Sequence, residues 1–339
     1  MINKSKIRGM FLGSAIGDSL GMPVETFSKE RIDKEYGRIT MYYRPDKHKW
    51  FDGRDAGTTT DDFQLTAATA EALIESELDM ESQVKWHIKA LNETDSGWGN
   101  TTRFSVQNLS KGIHWANSGL NDKSNGVGNG VAMKISPVAA LFAIMVNNKS
   151  LKFSDTLKKN FTFFSQLNDM THPTKISLMS SFSIFSTISY CLNSDSLCID
   201  FDELKDLMFI NYDLLDKFKV NKLYPESKDD VCERISDLFK NINNYISIDF
   251  IKNYGEGSCY CYNSIPFSLG FFLKKPNSIE ALFDVISAGG DTDSNGSMVG
   301  AMLGALNGEE IFPSYLINAL KIKEQVIDIA DRFCEKFVN

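Results

Sequence analysis

Hydrophobic residues along this chain recur mostly at helical spacing. Near its end Ile322, Val326, Ile329, Phe333 and Phe337 stand three and four residues apart, which sets them on one face of a helix. Ser136-Pro137 reads as an N-cap with proline at the first helical position, and the helix continues through Val138 to Val146. Alternating runs of period two are scarce, so the pattern predicts an all-α protein. Two segments carry a further repeat: Gly9, Gly13, Gly17 and Gly21, and again Gly296, Gly300 and Gly304, fall every four residues. On a helix each set forms a bare stripe. Interior glycine costs a helix about 1 kcal/mol relative to alanine, so the stripes predict close approach by a neighbouring helix. The segments are too polar for the membrane version of this motif. Residues 150–250, rich in Asn, Lys, Ser and Phe, predict helical scaffold with no chemical cluster except around His172.

Composition adds bounds. The chain has 339 residues with no Pro/Gly/Ser-rich or charged linker, so a single domain over residues 1–339 is expected, and 42% hydrophobic residues with 24 Phe supply a large core. There are 36 basic and 44 acidic residues, a formal charge of -8, and the lysines are scattered among acids rather than gathered in a stripe. That balance argues against nucleic acid as a direct ligand. A phosphate-bearing substrate would need a local metal, lysine or set of backbone amides. The six cysteines form no CxxC pair, and Cys259-x-Cys261 lacks a second pair to complete a zinc site, so reduced thiols are expected. Lys4, Lys6 and Arg8 before the apolar Met10–Ile16 run imitate a signal peptide, but Asp18 and the missing cleavage pattern point to a cytoplasmic protein. No apolar run approaches the ~20 residues that span a bilayer.

Two acidic clusters carry the chemistry. Gly57-Thr58-Thr59-Thr60-Asp61-Asp62 precedes a helical pattern through Leu65, Ala68, Ala72 and Leu73, and Ser287-Ala288-Gly289-Gly290-Asp291-Thr292-Asp293-Ser294-Asn295-Gly296 opens the second glycine-striped helix. Either stretch alone is equally a capped, dipole-complementing helix start. Their repetition changes the odds. Four carboxylates brought together repel unless cations hold them, and hard oxygen ligands select magnesium, manganese or calcium over zinc. Two ions ~3.5–4 Å apart, bridged by a carboxylate, would activate a water. A third element, Asn125-Gly126-Val127-Gly128-Asn129-Gly130-Val131-Ala132-Met133-Lys134, is a glycine-rich loop able to turn N–H groups toward phosphate, with Lys134 adding charge. His172 before Pro173 and Glu25 after the first glycine helix have bland readings by themselves, one structural and one solvated.

In this order the pieces resemble the ADP-ribosylglycohydrolase family, which includes dinitrogenase reductase-activating glycohydrolases and hydrolases of ADP-ribosylarginine and ADP-ribosylserine. Four matches carry the resemblance: Gly13-x-x-x-Gly17-Asp18-Ser19-Leu20-Gly21 with Glu25, Thr60-Asp61-Asp62, Gly128-Asn129-Gly130-x-Ala132-Met133, and Gly289-Gly290-Asp291-x-Asp293-Ser294. It implies a single-domain helical bundle with a central binuclear metal site, whose two divalent ions, Mg2+ or Mn2+, are ligated by Thr60, Asp61, Asp62, Asp291, Asp293 and Ser294. It further implies that Asn125, Gly126, Val127, Gly128, Asn129 and Gly130 hold ADP-ribose with His172 nearby and Asp61 also facing substrate. Glu25 matches a displaceable glutamate over the metals. Three departures stand out: Ser294 replaces threonine, Lys134 replaces arginine, and Val127 replaces an aromatic, which shifts adenine stacking to Tyr260 or Tyr262.

The implied reaction is hydrolysis of the glycosidic bond between ADP-ribose and a modified protein side chain, or another ADP-ribose conjugate, with Glu25 and Asp62 moving protons. A catalytically silent ADP-ribose binder is the alternative, disfavoured by six intact ligands. A terpenoid-type diphosphate synthase is a second rival that the spacing disfavours, because Phe63-Gln64-Leu65 follows Asp61-Asp62 without a third aspartate, and a turnover assay would separate the three readings.

Overall fold

The two glycine stripes meet each other. In the computed structural model of the chain, which describes residues 2–46, 48–120, 126–149, 152–217 and 230–338, Lys4–Gly21 and Thr292–Asn307 each form one helix. They run antiparallel, with Gly9 facing Gly304, Gly13 facing Gly300 and Gly17 facing Gly296. A Cβ on Gly296 would stand 2.6 Å from the Gly17 carbonyl oxygen, and one on Gly9 would stand 2.7 Å from that of Gly304. At Gly13 and Gly300 it would overlap the opposite carbonyl outright. The backbones therefore touch, which accounts for four-residue spacing on both strands of the seam. Ser14 and Ser297 hydroxyls hydrogen-bond across it at 2.7 Å, and Thr292 Oγ1 donates to Gly21 O at 2.8 Å where it ends.

Helices Asp61–Ser76, Lys175–Asn193, Cys261–Lys274, Glu280–Ser287 and Lys323–Phe337 pack on this pair, and Ser136–Lys149 lies against Lys175–Asn193. In the Lys323–Phe337 helix Val326, Ile329 and Phe333 are buried, and Phe333 meets Phe11 edge-on at 5.7 Å. The middle of the chain is helical too, with Phe153–Asp169, Phe201–Lys217 and Val231–Asn241. Among the described residues β pairing is confined to two isolated bridges, Ser28 with Gly289 and Gly128 with Tyr260. No described helix is long and apolar enough to cross a membrane. One expected cap is absent: Ser136 already lies inside its helix and its hydroxyl is buried without a partner. A 3-10 turn, Ala132–Lys134, leads straight into that helix, whose first turn is closed by Ala139 N–H donating to Ile135 O at 3.1 Å.

Candidate active site

Because the seam is antiparallel, it delivers the C-terminal end of the first helix to the N-terminal end of the second. Glu25 follows the short 3-10 turn Met22–Val24, and the next residue, Thr26, sits at φ 64°, a strained conformation for a β-branched side chain. Thr26 N–H donates to Gly290 O at 2.6 Å and Gly290 N–H to Phe27 O at 3.0 Å, so this strand is tied to the turn before Asp291. Gly289 and Gly290 hold φ of 88° and 85°, and a Cβ on Gly289 would stand 2.6 Å from Phe27 O. Carboxylate oxygens of Glu25, Asp291 and Asp293 come within 4.8 Å of one another.

The second acidic pair is anchored by a residue whose role is invisible in its local pattern. Asp18, fully buried on the first helix, accepts Thr60 N–H at 2.9 and 3.0 Å and Phe63 N–H at 2.9 Å. It thereby fixes the N-terminus of the Asp61–Ser76 helix over the end of the seam. Thr60 Oγ1 lies 3.2 Å from Asp62 Oδ2 and 3.3 Å from Asp293 Oδ2, its single proton able to reach either. Ser294 Oγ donates to Asp62 Oδ2 at 3.3 Å and Asn129 Nδ2 to Asp291 Oδ2 at 2.6 Å. Glu25, Asp61, Asp62, Asp291, Asp293 and Ser294 all line one cleft of about 750 Å³.

Electrostatics shows what this cluster lacks. Burial pushes the Glu25 carboxyl up to about 9, with the charges of Asp291 and Asp61 adding to it. Asp61 rises to about 8 through burial and then Asp18, and Asp18 to about 7 through burial, opposed by the Phe63 and Thr60 N–H groups. Asp62, Asp291 and Asp293 are raised as well, burial being the largest cause in each. Glu25 Oε2 and Asp62 Oδ1 are buried without any hydrogen-bond partner. Among the described residues no lysine or arginine forms an ion pair with these acids. Anionic oxygens converging without countercharge fit hard divalent cations, which would replace protons as the compensating charge.

The glycine-rich loop forms another wall. Gly128, Asn129, Gly130 and His172 line the cleft, and Asn129 N–H and Cys261 N–H pair with Cys259 O and Val127 O, both at 3.0 Å. Gly126 accepts from Thr174 Oγ1 at 2.6 Å, while Asn125 lies outside the described residues. A Cβ on Gly130 would stand 2.8 Å from the His172 ring, so the bare glycine lets the imidazole pack beneath the loop. His172 is buried and its pKa is depressed to about 3 by burial and then Lys134, so the ring is neutral.

Two expectations need correcting. Lys134 does not line the cleft: it is 0% exposed and its Nζ lies 2.9 Å from His87 Nε2, whose other nitrogen faces Gln83 O at 2.7 Å, so its charge reaches Asp61 and His172 only from behind the wall. A lysine long enough to reach phosphate is drawn instead into the packing of the Met80–Glu93 helix. Tyr260 and Tyr262 are absent from the described lining of the cleft, their rings paired at 6.0 Å and Tyr262 covered by Arg234 at 4.0 Å. The Ser96–Arg103 stretch, not singled out from the sequence, also lines the cleft and gives Asp61 a hydrogen bond from Gly99 N–H. Its Gly97-Trp98-Gly99-Asn100 turn before a helix was the available signal.

An all-α bundle whose central cleft gathers acids from three distant segments defines a class of protein, and comparison with known proteins names it. The chain belongs to the ADP-ribosylglycohydrolase family, whose family model matches residues 2–339. It is 23% identical over 340 residues to an uncharacterised protein of Archaeoglobus fulgidus, covering 98% of this chain and 97% of that one. It is 21% identical to the ADP-ribosyl-[dinitrogen reductase] glycohydrolase of Rhodospirillum rubrum, covering 93% and 90%. A solved structure described as an ADP-ribosylglycohydrolase-related protein complex shares the fold at a TM-score of 0.68 and 19% identity, over 98% of both chains.

Proposed function

We propose that this protein hydrolyses the N- or O-glycosidic bond joining ADP-ribose to a protein side chain, using two divalent ions, Mg2+ or Mn2+. One observation carries the reading: acids from three distant segments share a single cleft, with two buried carboxylate oxygens that lack partners and, among the described residues, no paired lysine or arginine. Thr60, Asp61, Asp62, Asp291, Asp293 and Ser294 hold the ions, with Glu25 close enough to Asp291 and Asp293 to join them until substrate enters. When bound, such ions supply Lewis-acid polarisation of sugar hydroxyls and activation of a water.

The chain's own residues do the rest. The loop of Asn125, Gly126, Val127, Gly128, Asn129 and Gly130 holds the diphosphate and adenosine, with the N–H groups of Gly128 and Gly130 facing phosphate oxygens while Asn129 N–H stays on Cys259 O and neutral His172 packs beneath. Asp61 orients the terminal ribose. Asp62 Oδ1 accepts the proton of the attacking water, and Glu25 Oε2 delivers one to the departing nitrogen or oxygen. Water attacks the anomeric carbon as that bond breaks, releasing free ADP-ribose and the unmodified side chain.

The test is release of ADP-ribose from ADP-ribosylated arginine and serine peptides, before and after exhaustive chelation and again with Mg2+ or Mn2+ restored. Turnover that vanishes with the metal and returns on its addition supports the proposal. Full activity after chelation refutes the metal mechanism, and ADP-ribose binding without turnover of either peptide marks a silent binder.

A further inference from the structure

The cleft presents one open aromatic surface that the reaction outlined above does not use. Of the aromatic residues lining it, Trp98 is 2% exposed with its indole N–H bound to Gln64 Oε1 at 2.8 Å, and His172 is buried against Thr171 Oγ1 at 2.9 Å. Trp50 is different, because it remains 49% exposed. Single exposed apolar residues are ordinary, but this one is held in place on both sides. His48 is stacked between Phe27 at 5.8 Å and Phe51 at 4.6 Å, and its Nε2 lies 3.0 Å from Glu25 O. Burial lowers the His48 pKa, so the ring is neutral, with Nε2–H donating to Glu25 O and Nδ1 accepting Trp50 N–H at 3.3 Å. On the other side Phe51 is buried against Gly97, where a Cβ would stand 2.9 Å from the ring. The loop around Trp50 is thus braced on the backbone of Glu25 and on the turn beside Asp61.

We propose that Trp50 is a specificity-determining residue whose indole receives the polypeptide carrying the ADP-ribose. The inference rests on the hydrolase reading above. There the nucleotide lies along the Gly126–Gly130 wall, which His172 and Cys259 back, and the ribose lies over the acids. The acceptor then leaves past Glu25 and Trp50, which both line the cleft and are tied together through His48. Trp50 lines the cleft next to Lys49 and keeps 49% of its surface accessible, so on the Glu25 side its indole is open to a group that reaches beyond the ribose. A polypeptide segment does so, and a preordered tryptophan costs little entropy on receiving it.

The experiment compares one linkage in two forms, the ADP-ribosylated amino acid alone and the same residue within a peptide, with wild type, Trp50→Ala and Trp50→Phe. For Trp50→Ala kcat/KM on the peptide falls about 10-fold or more, while turnover of the single amino acid and affinity for free ADP-ribose stay within about 2-fold; Trp50→Phe recovers part of the loss. Circular dichroism and melting check that each variant folds. Equal losses on both substrates, with weakened ADP-ribose binding, would place Trp50 against the nucleotide and overturn the proposal, as would no loss on either. A wild type that cleaves neither form removes the hydrolase reading and this inference together, whereas a wild type that cleaves both with an indifferent Trp50→Ala removes the inference alone.

Discussion

Two helices in this protein are buried on nearly every side, and they achieve it by opposite means. The Thr292–Asn307 helix gives up side chains, so that its glycines lie against the backbone of Lys4–Gly21. The Lys175–Asn193 helix keeps them: its phenylalanines interlock with rings from neighbouring helices, Phe182 with Phe164 at 5.6 Å and Phe185 with Phe142 at 5.1 Å. Several of its buried hydroxyls return to backbone carbonyls, among them Ser181 Oγ to Leu178 O at 3.0 Å and Thr187 Oγ1 to Ser183 O at 2.9 Å. Rings and hydroxyls can adjust by rotation, whereas two touching backbones cannot. The rigid seam is the one that ends in the acidic cluster, and the adaptable helix is the one in the scaffold.

The largest expected effect comes from placing a methyl in the seam. Gly300→Ala would raise intrinsic helix propensity by about 1 kcal/mol, yet its Cβ overlaps the Gly13 carbonyl oxygen. Overlap wins, and stability should fall by about 3 kcal/mol or more as the helices are forced apart. Urea unfolding measures it. An alanine variant as stable as wild type would mean that the backbones do not touch.

At the end of the seam, charge rather than packing should dominate. Asp62→Asn can keep an amide oxygen toward the hydroxyls of Thr60 and Ser294, while its NH2 replaces the partnerless Oδ1. ADP-ribose release should drop by more than about 100-fold, with melting of the chelated protein unchanged or raised because a carboxyl that burial makes costly to ionise is gone. If the variant melts far lower when chelated yet turns over at the wild-type rate with metal restored, Asp62 is a helix cap and no ligand.

The difference between the two helices also explains what could be read from the sequence. The glycine stripes were legible because their cause is periodic, and the acid pairs because helix starts leave local marks in Thr60-Asp61-Asp62 and Gly290-Asp291-x-Asp293. Asp18 was not, since its partners Thr60 and Phe63 lie more than forty positions away along the chain. The direction of Lys134 was decided by His87 on a helix it meets only after folding. The Trp50 rim depends on His48, Phe27 and Glu25 meeting across a turn with no repeating pattern.

A smaller effect should distinguish the acidic end from the scaffold by pH. In metal-free protein the folded-state pKa values of Glu25, Asp61 and Asp18 are raised to about 9, 8 and 7. Unfolded carboxyls titrate near about 4, so between these limits the native state binds more protons and stability declines as pH rises. The melting temperature of chelated protein should therefore fall steadily from pH 5 to pH 9, and Mg2+ or Mn2+ should flatten the slope. A chelated protein that gains stability over this range would contradict the raised values.

The smallest effect belongs to the scaffold helix and completes the contrast. Ser181→Ala removes a buried hydroxyl whose hydrogen bond runs to Leu178 O, one turn back in its own helix. That carbonyl remains within the helical hydrogen-bonding pattern, and alanine is the better helix former, so the loss of a local bond and the gain in propensity nearly cancel. Stability should change by less than about 0.5 kcal/mol, or under about 1 °C in melting temperature for a chain of this size. The same residue type, alanine, is thus expected to be ruinous at position 300 and neutral at position 181, although both sites are buried. A large loss at 181 would show that the hydroxyl helps hold neighbouring helices, and the scaffold would then be as constrained as the seam.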